Sequence, residues 1–266
     1  MVPFRRQVPF PEVRMLKRIL TWKLPLLAAA VASAVFASGF FLVLRGDIGE
    51  SVTAPVVEKT QVTDFEKPRV VLLGDSLARG TGDESGLGIG GHVDAELGAR
   101  KIERRPGVNL AINGARTTDL LRQLESRNVG QVIAESNIVI LSIGGNDLFG
   151  GFGRVDAPPE NPEAAMSEVL DRVETIVSKI RASNPEARIF LIGLYNPFVG
   201  SSSGQRLNAF VNRWNALLIE RFQNDADLTV VQTSDIFSHR NRLSLDRFHP
   251  GKEGYRLIGR RIADAL

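Results

Sequence analysis

Cysteine is absent from the 266 residues, which removes disulfides, thiolate nucleophiles, Cys-ligated zinc and lipoprotein attachment together. Histidine is nearly as scarce, with only His92, His239 and His249, so a histidine-built metal site is not expected and neither is a cofactor. A surplus of one charge is also lacking, since 33 basic residues face 30 acidic ones for a formal +3. That small surplus is local. Arg5, Arg6, Arg14, Lys17, Arg18 and Lys23 stand near the start against Glu12 alone, and the rest of the chain is net negative by about two. A surface that tracks nucleic-acid phosphates is therefore not expected.

Residues 24–44, LPLLAAAVASAVFASGFFLVL, carry no charge. About 20 apolar residues span a bilayer core as a helix, so the expectation is a cytoplasmic basic flank at 1–23 and a transmembrane anchor at 24–44. Ala32-Ser33-Ala34 also fits a signal-peptidase site, and a cleaved, secreted form is the competing reading. The apolar run continues past that site through Phe40, Phe41, Leu42, Val43 and Leu44, which favours the anchor. Cations before the span place the C-terminal domain on the extracytoplasmic side. Residues 45–68 mix Gly, Thr, Glu, Lys and two prolines without apolar periodicity and read as a polar stalk.

From residue 69 to 266 the pattern is that of one domain. Short β-branched runs at 69–73, 108–112, 138–143, 188–194 and 228–232 alternate with helical patterns at 117–127, 162–182, 205–222 and 251–265. This alternation predicts an α/β fold with a five-stranded parallel sheet covered on both faces by helices. Sites in such sheets lie beyond the carboxyl ends of the strands.

The first run enters Gly74-Asp75-Ser76-Leu77 directly, which puts Ser76 where a nucleophile belongs in this architecture. Taken alone the tripeptide reads equally well as a turn with a helix-capping serine. A serine needs a base, and the base an orienting group. Asp246-Arg247-Phe248-His249-Pro250 supplies both: an acid three residues before a histidine can fold back onto the imidazole, and Pro250 suits the first turn of a final helix. His92 and His239 have no such neighbour and are expected at the surface. Acyl transfer also needs donors for an oxyanion. Gly114, after the second strand, could offer a backbone N–H, and Asn146, after the third, a side-chain amide, although Asn and Gly also end strands routinely in turns.

Together Gly74-Asp75-Ser76, Gly114, Gly144-Gly145-Asn146-Asp147 and Asp246-x-x-His249 resemble, in order, the four blocks of the SGNH (GDSL-type) hydrolase family. The resemblance covers residue 69 to the C-terminus. It implies a flavodoxin-like three-layer α/β/α sandwich, a catalytic set of Ser76, Asp246 and His249, and an oxyanion hole of Ser76, Gly114 and Asn146. The stretches Gly80-Thr81-Gly82-Asp83-Glu84-Ser85-Gly86 and Leu194-Tyr195-Asn196-Pro197-Phe198 look like those of bacterial membrane-anchored lysophospholipase-like members. The implied activity is hydrolysis of carboxylic esters, lipid or lysophospholipid acyl esters first. A carbohydrate O-deacetylase and a catalytically idle surface binding module are the alternatives. Phe149, Phe152, Phe198 and Val199, in the loops after the third and fourth strands, are candidates for acyl contact or for plain packing.

Two glycine patterns compete for attention. Gly200-Ser201-Ser202-Ser203-Gly204 matches the G-x-S-x-G elbow literally but lacks the strand directly before it. Gly86-x-Gly88-x-x-Gly91 matches a dinucleotide fingerprint, again with no strand immediately before it. The expectation there is a mobile rim loop.

Overall fold

A computed structural model describes residues 67–150, 160–199 and 204–266. The segments expected as basic flank, anchor and nearly all of the stalk lie outside the described residues. So do Phe152 and Ser202. Among the described residues no helix is long and apolar enough to cross a membrane.

Five parallel strands form the sheet in the order β2-β1-β3-β4-β5: β1 (Val70–Gly74), β2 (Val108–Asn109), β3 (Ile138–Ser142), β4 (Arg188–Ile192) and β5 (Leu228–Val231). Side chains alternate across a strand, and the core divides accordingly. Val71, Leu73, Val139, Leu141, Ile189 and Leu191 join one apolar cluster, whereas Val70, Leu72, Ile138, Ile140, Phe190 and Ile192 join another. Both faces must be covered. The first is covered by α3 (Thr117–Gln123), α4 (Arg127–Ala134), α6 (Pro162–Ser183) and α7 (Gly204–Phe222). The second is covered by α2 (Gly88–Ala99) and α8 (Lys252–Asp264). Two short helices remain, α1 (Ser76–Arg79) and α5 (Gly145–Phe149), and both follow strand ends directly.

Local chemistry sets the helix limits. Asn161 accepts from the Ala164 N–H at 3.2 Å and Pro162 opens α6. The buried positions of α6, Met166, Val169, Leu170, Val173, Ile176, Val177 and Ile180, then follow the three-and-four spacing of one helical face. The sequence pattern at 117–127 becomes two helices rather than one. β2 is also shorter than its apolar run, because Asn109 turns its side chain back, accepting from Ala111 N at 3.0 Å and donating to Ala78 O at 3.0 Å. Leu110 and Ile112 still donate to Leu72 and Gly74, so the segment stays attached to β1.

The glycine run departs most from expectation. Gly88–Ala99 is a helix, not a rim loop. Glycine disfavours a helix, but close packing here requires it: a Cβ on Gly90 would lie 2.8 Å from Leu72 Cδ1, and one on Gly88 3.0 Å from Gly80 Cα. The partner helix answers in kind, since a Cβ on Gly259 would stand 2.7 Å from His92 Cβ.

Candidate active site

Strand order reverses between β1 and β3, and the crevice beyond their carboxyl ends is the usual ligand position in an open parallel sheet. At the end of β1, Gly74 has φ +119, and a Cβ there would stand 1.8 Å from Ser142 O. Only glycine permits that approach. Asp75 N then donates to Ser142 O at 2.9 Å, and the Asp75 carboxylate accepts from Leu77 N at 3.1 Å and from Ser142 Oγ at 2.9 Å. These bonds start α1 at Ser76. Burial pushes the Asp75 carboxyl up to about 6, against the bonds from Ser142 and Leu77 that favour its charged form.

Opposite Ser76 stands a turn closed by Ser244 N–H to His249 O at 2.8 Å and Arg247 N–H to Ser244 O at 3.0 Å. Arg247 takes φ +57, an uncommon left-handed conformation for a residue with a side chain. It folds Asp246 back. Asp246 Oδ1 accepts from Ser244 Oγ at 2.6 Å and from the N–H groups of Phe248 and His249 at 2.9 Å each. Oδ2 lies 2.6 Å from His249 Nδ1, and His249 Nε2 lies 2.9 Å from Ser76 Oγ. Partial burial alone would raise the Asp246 carboxyl, yet the bonds from Ser244, His249 and the two backbone N–H groups outweigh it and hold it at about 2. The acid is therefore a fixed anion beside the imidazole at neutral pH. Tyr195 braces the turn from behind by donating to Phe248 O at 2.7 Å.

Gly114 and Asn146 follow β2 and β3, the two strands that flank β1. Gly114 is exposed, has φ +77, and a Cβ on it would meet nothing within 4 Å. Asn146, in the first turn of α5, donates through Nδ2 to Ala115 O at 3.0 Å, the residue after Gly114. Asp147 beside it accepts from Thr117 N at 3.0 Å and Thr117 Oγ1 at 2.6 Å, and Arg172 pairs with it at 3.4 Å. The two loops are thus stitched together. The acyl-contact candidates sit less decisively: Phe149 and Phe198 are partly buried against the α6–α7 face of the core, with the Phe149 ring 5.2 Å from that of Phe210.

Sequence reasoning gives residues 81–84 no role of their own, yet they reach the Ser76 helix, the Asn113 loop and the His249 turn. Thr81 N donates to Ser76 O at 3.0 Å, Thr81 Oγ1 to Asn113 Oδ1 at 2.9 Å, and Thr81 O accepts from Tyr255 OH at 2.7 Å. Gly82, at φ +93, lies so close under the turn that a Cβ would stand 2.7 Å from Pro250 O, 2.8 Å from His249 Cβ and 3.0 Å from Ser244 Cβ. Glu84 accepts from Lys252 N at 2.7 Å and so caps α8. His92, expected at the surface, is instead buried, its Nε2 3.1 Å from Asp83 Oδ2. Asp83 also accepts from Gly88 N at 2.8 Å and from Ser85 N at 2.8 Å. His239 is exposed, as expected. The available signal is the glycine-aspartate stretch itself, but Ser244, His249, Pro250, Lys252 and Tyr255, which it meets, lie more than 150 residues away.

Residues 72–257 match the model of the GDSL-like lipase/acylhydrolase family. The chain is 31% identical over 207 residues to the uncharacterized protein YpmR of Bacillus subtilis, covering 74% of this chain and 80% of that one. Among solved structures, the lipase Lip_vut3 from a goat rumen metagenome superposes with a TM-score of 0.64 at 21% identity, covering 75% of this chain and 97% of the other. The family 3 carbohydrate esterase of Clostridium thermocellum does so with a TM-score of 0.55 at 18% identity, covering 75% and 98%. The likeness to these two structures is one of fold. The chain belongs to the GDSL-like lipase/acylhydrolase family and is a carboxylic ester hydrolase.

Proposed function

We propose that the protein hydrolyses acyl esters of lipids through an acyl-enzyme on Ser76. The observation that carries this reading is the unbroken line from Asp246 Oδ2 to His249 Nδ1 at 2.6 Å and from His249 Nε2 to Ser76 Oγ at 2.9 Å. With its proton on Nδ1, donated to Asp246, the imidazole accepts from the serine hydroxyl through Nε2. Ser76 Oγ attacks the ester carbonyl as His249 takes its proton, and the imidazolium returns that proton to the departing alcohol. Water, deprotonated by His249, then attacks the acyl-enzyme; collapse releases the carboxylic acid and restores Ser76.

Charge on the carbonyl oxygen during both steps calls for fixed donors. Ser76 N–H, Gly114 N–H and the Asn146 amide fill that role in this reading. One Asn146 N–H is spent on Ala115 O, which fixes the side chain and leaves its second N–H for the oxyanion. Phe149, Phe198 and Val199, with Phe152, offer the acyl chain apolar contact.

Removal of acetyl groups from a glycan would use the same residues, and the likeness to a carbohydrate esterase keeps that second reading in play. Hydrolysis rates across esters of two to sixteen carbons, a lysophospholipid and an acetylated xylan separate the two. Long acyl chains should be preferred. Turnover confined to acetyl esters would refute the lipid reading, and no turnover of any activated ester would leave an idle binding module. We further propose that residues 24–44 anchor the chain with its domain outside the cell. Protease added to intact cells should release the domain, whereas protection would reverse the orientation.

A further inference from the structure

The turn that carries Asp246 and His249 has a second face. Inward it is fully engaged; outward it presents Leu245, 95% exposed, and the exposed Arg247. A single exposed leucine is ordinary on a protein surface, so its place matters more than its exposure. Among the described residues six large apolar side chains are exposed, and three of them, Leu87, Ile112 and Leu245, stand in the segments after β1, β2 and β5, at the catalytic edge. Charge follows the same edge. The side chains of Arg79, in the turn after Ser76, and Arg247 have neither hydrogen-bond nor ion-pair partner among the described residues. Of the acids in the same segments, Asp119 pairs with Arg122 at 3.4 Å, Asp246 accepts three hydrogen bonds within its turn, and Glu84 accepts from Lys252 N at the start of α8.

We infer that this edge is a docking face for an anionic lipid surface, with Leu245 entering the acyl boundary and Arg79 and Arg247 meeting headgroup phosphates. Apolar insertion ringed by unpaired cations is the chemistry by which proteins lie on such membranes. The turn suits insertion because three hydrogen bonds to Asp246 Oδ1 hold it rigid in the free protein, so little freedom is lost on docking. An ester at the interface then arrives beside Ser76. The chain enters β1 at the opposite edge, a strand of five residues away, or about 17 Å. The inference deepens the lipid-hydrolase reading and rests on it for substrate class only.

The chain has no cysteine, so an environment-sensitive fluorophore can be placed by Leu245→Cys in the full-length protein. Ile219→Cys, near the end of α7 and 47% exposed, is the control. Both are reconstituted in vesicles of phosphatidylcholine alone or with phosphatidylglycerol. The expected result is blue-shifted emission at position 245 with anionic vesicles and none at position 219. In unlabelled protein, the ratio of vesicle-lipid to soluble-ester turnover should fall by about tenfold in Leu245→Ser and by about fivefold in Arg247→Asn, an asparagine being compatible with the left-handed backbone. A silent probe at 245, an equal shift at both positions, a shift indifferent to lipid charge, or an unchanged ratio overturns the docking face. Insertion without release of fatty acid would leave the face standing and refute the lipid reading, whereas lipid hydrolysis with a silent probe would refute the face alone.

Discussion

Replacing Gly82 by alanine should disable catalysis while leaving the domain folded. Two costs are separable. The first is backbone strain, since φ at Gly82 is +93, a conformation that costs a residue with a Cβ about 1–2 kcal/mol. The second is a clash with His249 Cβ, which would lie 2.8 Å away. Carbon atoms rest about 3.5–4.0 Å apart, so the histidine must retreat by about 1 Å. Its Nε2 lies 2.9 Å from Ser76 Oγ, and that retreat breaks the bond through which, in the proposed mechanism, the hydroxyl is activated. A misplacement of about 1 Å can cost about 100-fold in rate. Gly86 provides the control: its φ is +71, but a Cβ there would meet nothing within 4 Å. Gly86→Ala should therefore cost stability alone. The assay is kcat on a soluble ester together with the rate of labelling by a serine-directed phosphonate, each compared with the thermal midpoint. Equal kcat in Gly82→Ala and Gly86→Ala would refute the view that Gly82 positions the base.

Ser76→Ala should abolish turnover and phosphonate labelling with the thermal midpoint retained, whereas Ser202→Ala should be close to neutral; labelling that survives Ser76→Ala would exclude Ser76 as nucleophile. Asn146→Ala should lower kcat by about 10²–10³ with little change in KM, and an unchanged kcat would remove it from the oxyanion site. His249→Ala should be nearly as damaging as Ser76→Ala, and its combination with Asp246→Ala should cost far less than the product of the single losses; a double-mutant cycle with additive losses would show that the pair does not act as a unit. Asp75, raised from 3.8 to about 6 by burial, stabilises the fold fully only below its unfolded pKa, and that contribution is lost as pH rises through about 6, by about 3 kcal/mol in all. Asp246, lowered from 3.8 to about 2, acts oppositely: its contribution is present above 3.8 and is lost as pH falls through about 2. Denaturant midpoints measured from pH 4 to 7 should therefore fall less with rising pH in Asp75→Asn than in the parent, and parallel curves would contradict the buried-acid account.

Whatever is decided locally is legible in the sequence. Strands buried on both faces, such as β1 and β3, announce themselves as apolar runs, and all five expected strands appear in the fold within a few residues of their expected ends. Ser76 and the Asp246–His249 turn are legible for the same reason, because one directly follows a strand and the other needs only a three-residue spacing. Glycine is where local reading fails, and it fails in one direction. At 86–91 it reads as freedom, when Gly88 and Gly90 are there for proximity, admitting Gly80 and Leu72 to contact distance with the helix backbone.

Gly82 carries the same lesson into the active site. Its neighbours in the fold, Ser244, His249 and Pro250, are more than 160 positions away, so no local pattern distinguishes it from the exposed Gly86 four residues on. His92 misleads likewise: its acid, Asp83, precedes it by nine residues, a spacing that means nothing until Gly88 begins a helix and turns the imidazole back. The catalytic groups can be found from the chemistry they must perform, which constrains residue type. Residues that hold those groups in place are constrained by volume and by hydrogen bonds to distant backbone. Small or absent side chains are the signature of that constraint, and only the packed structure tells them apart from a loop.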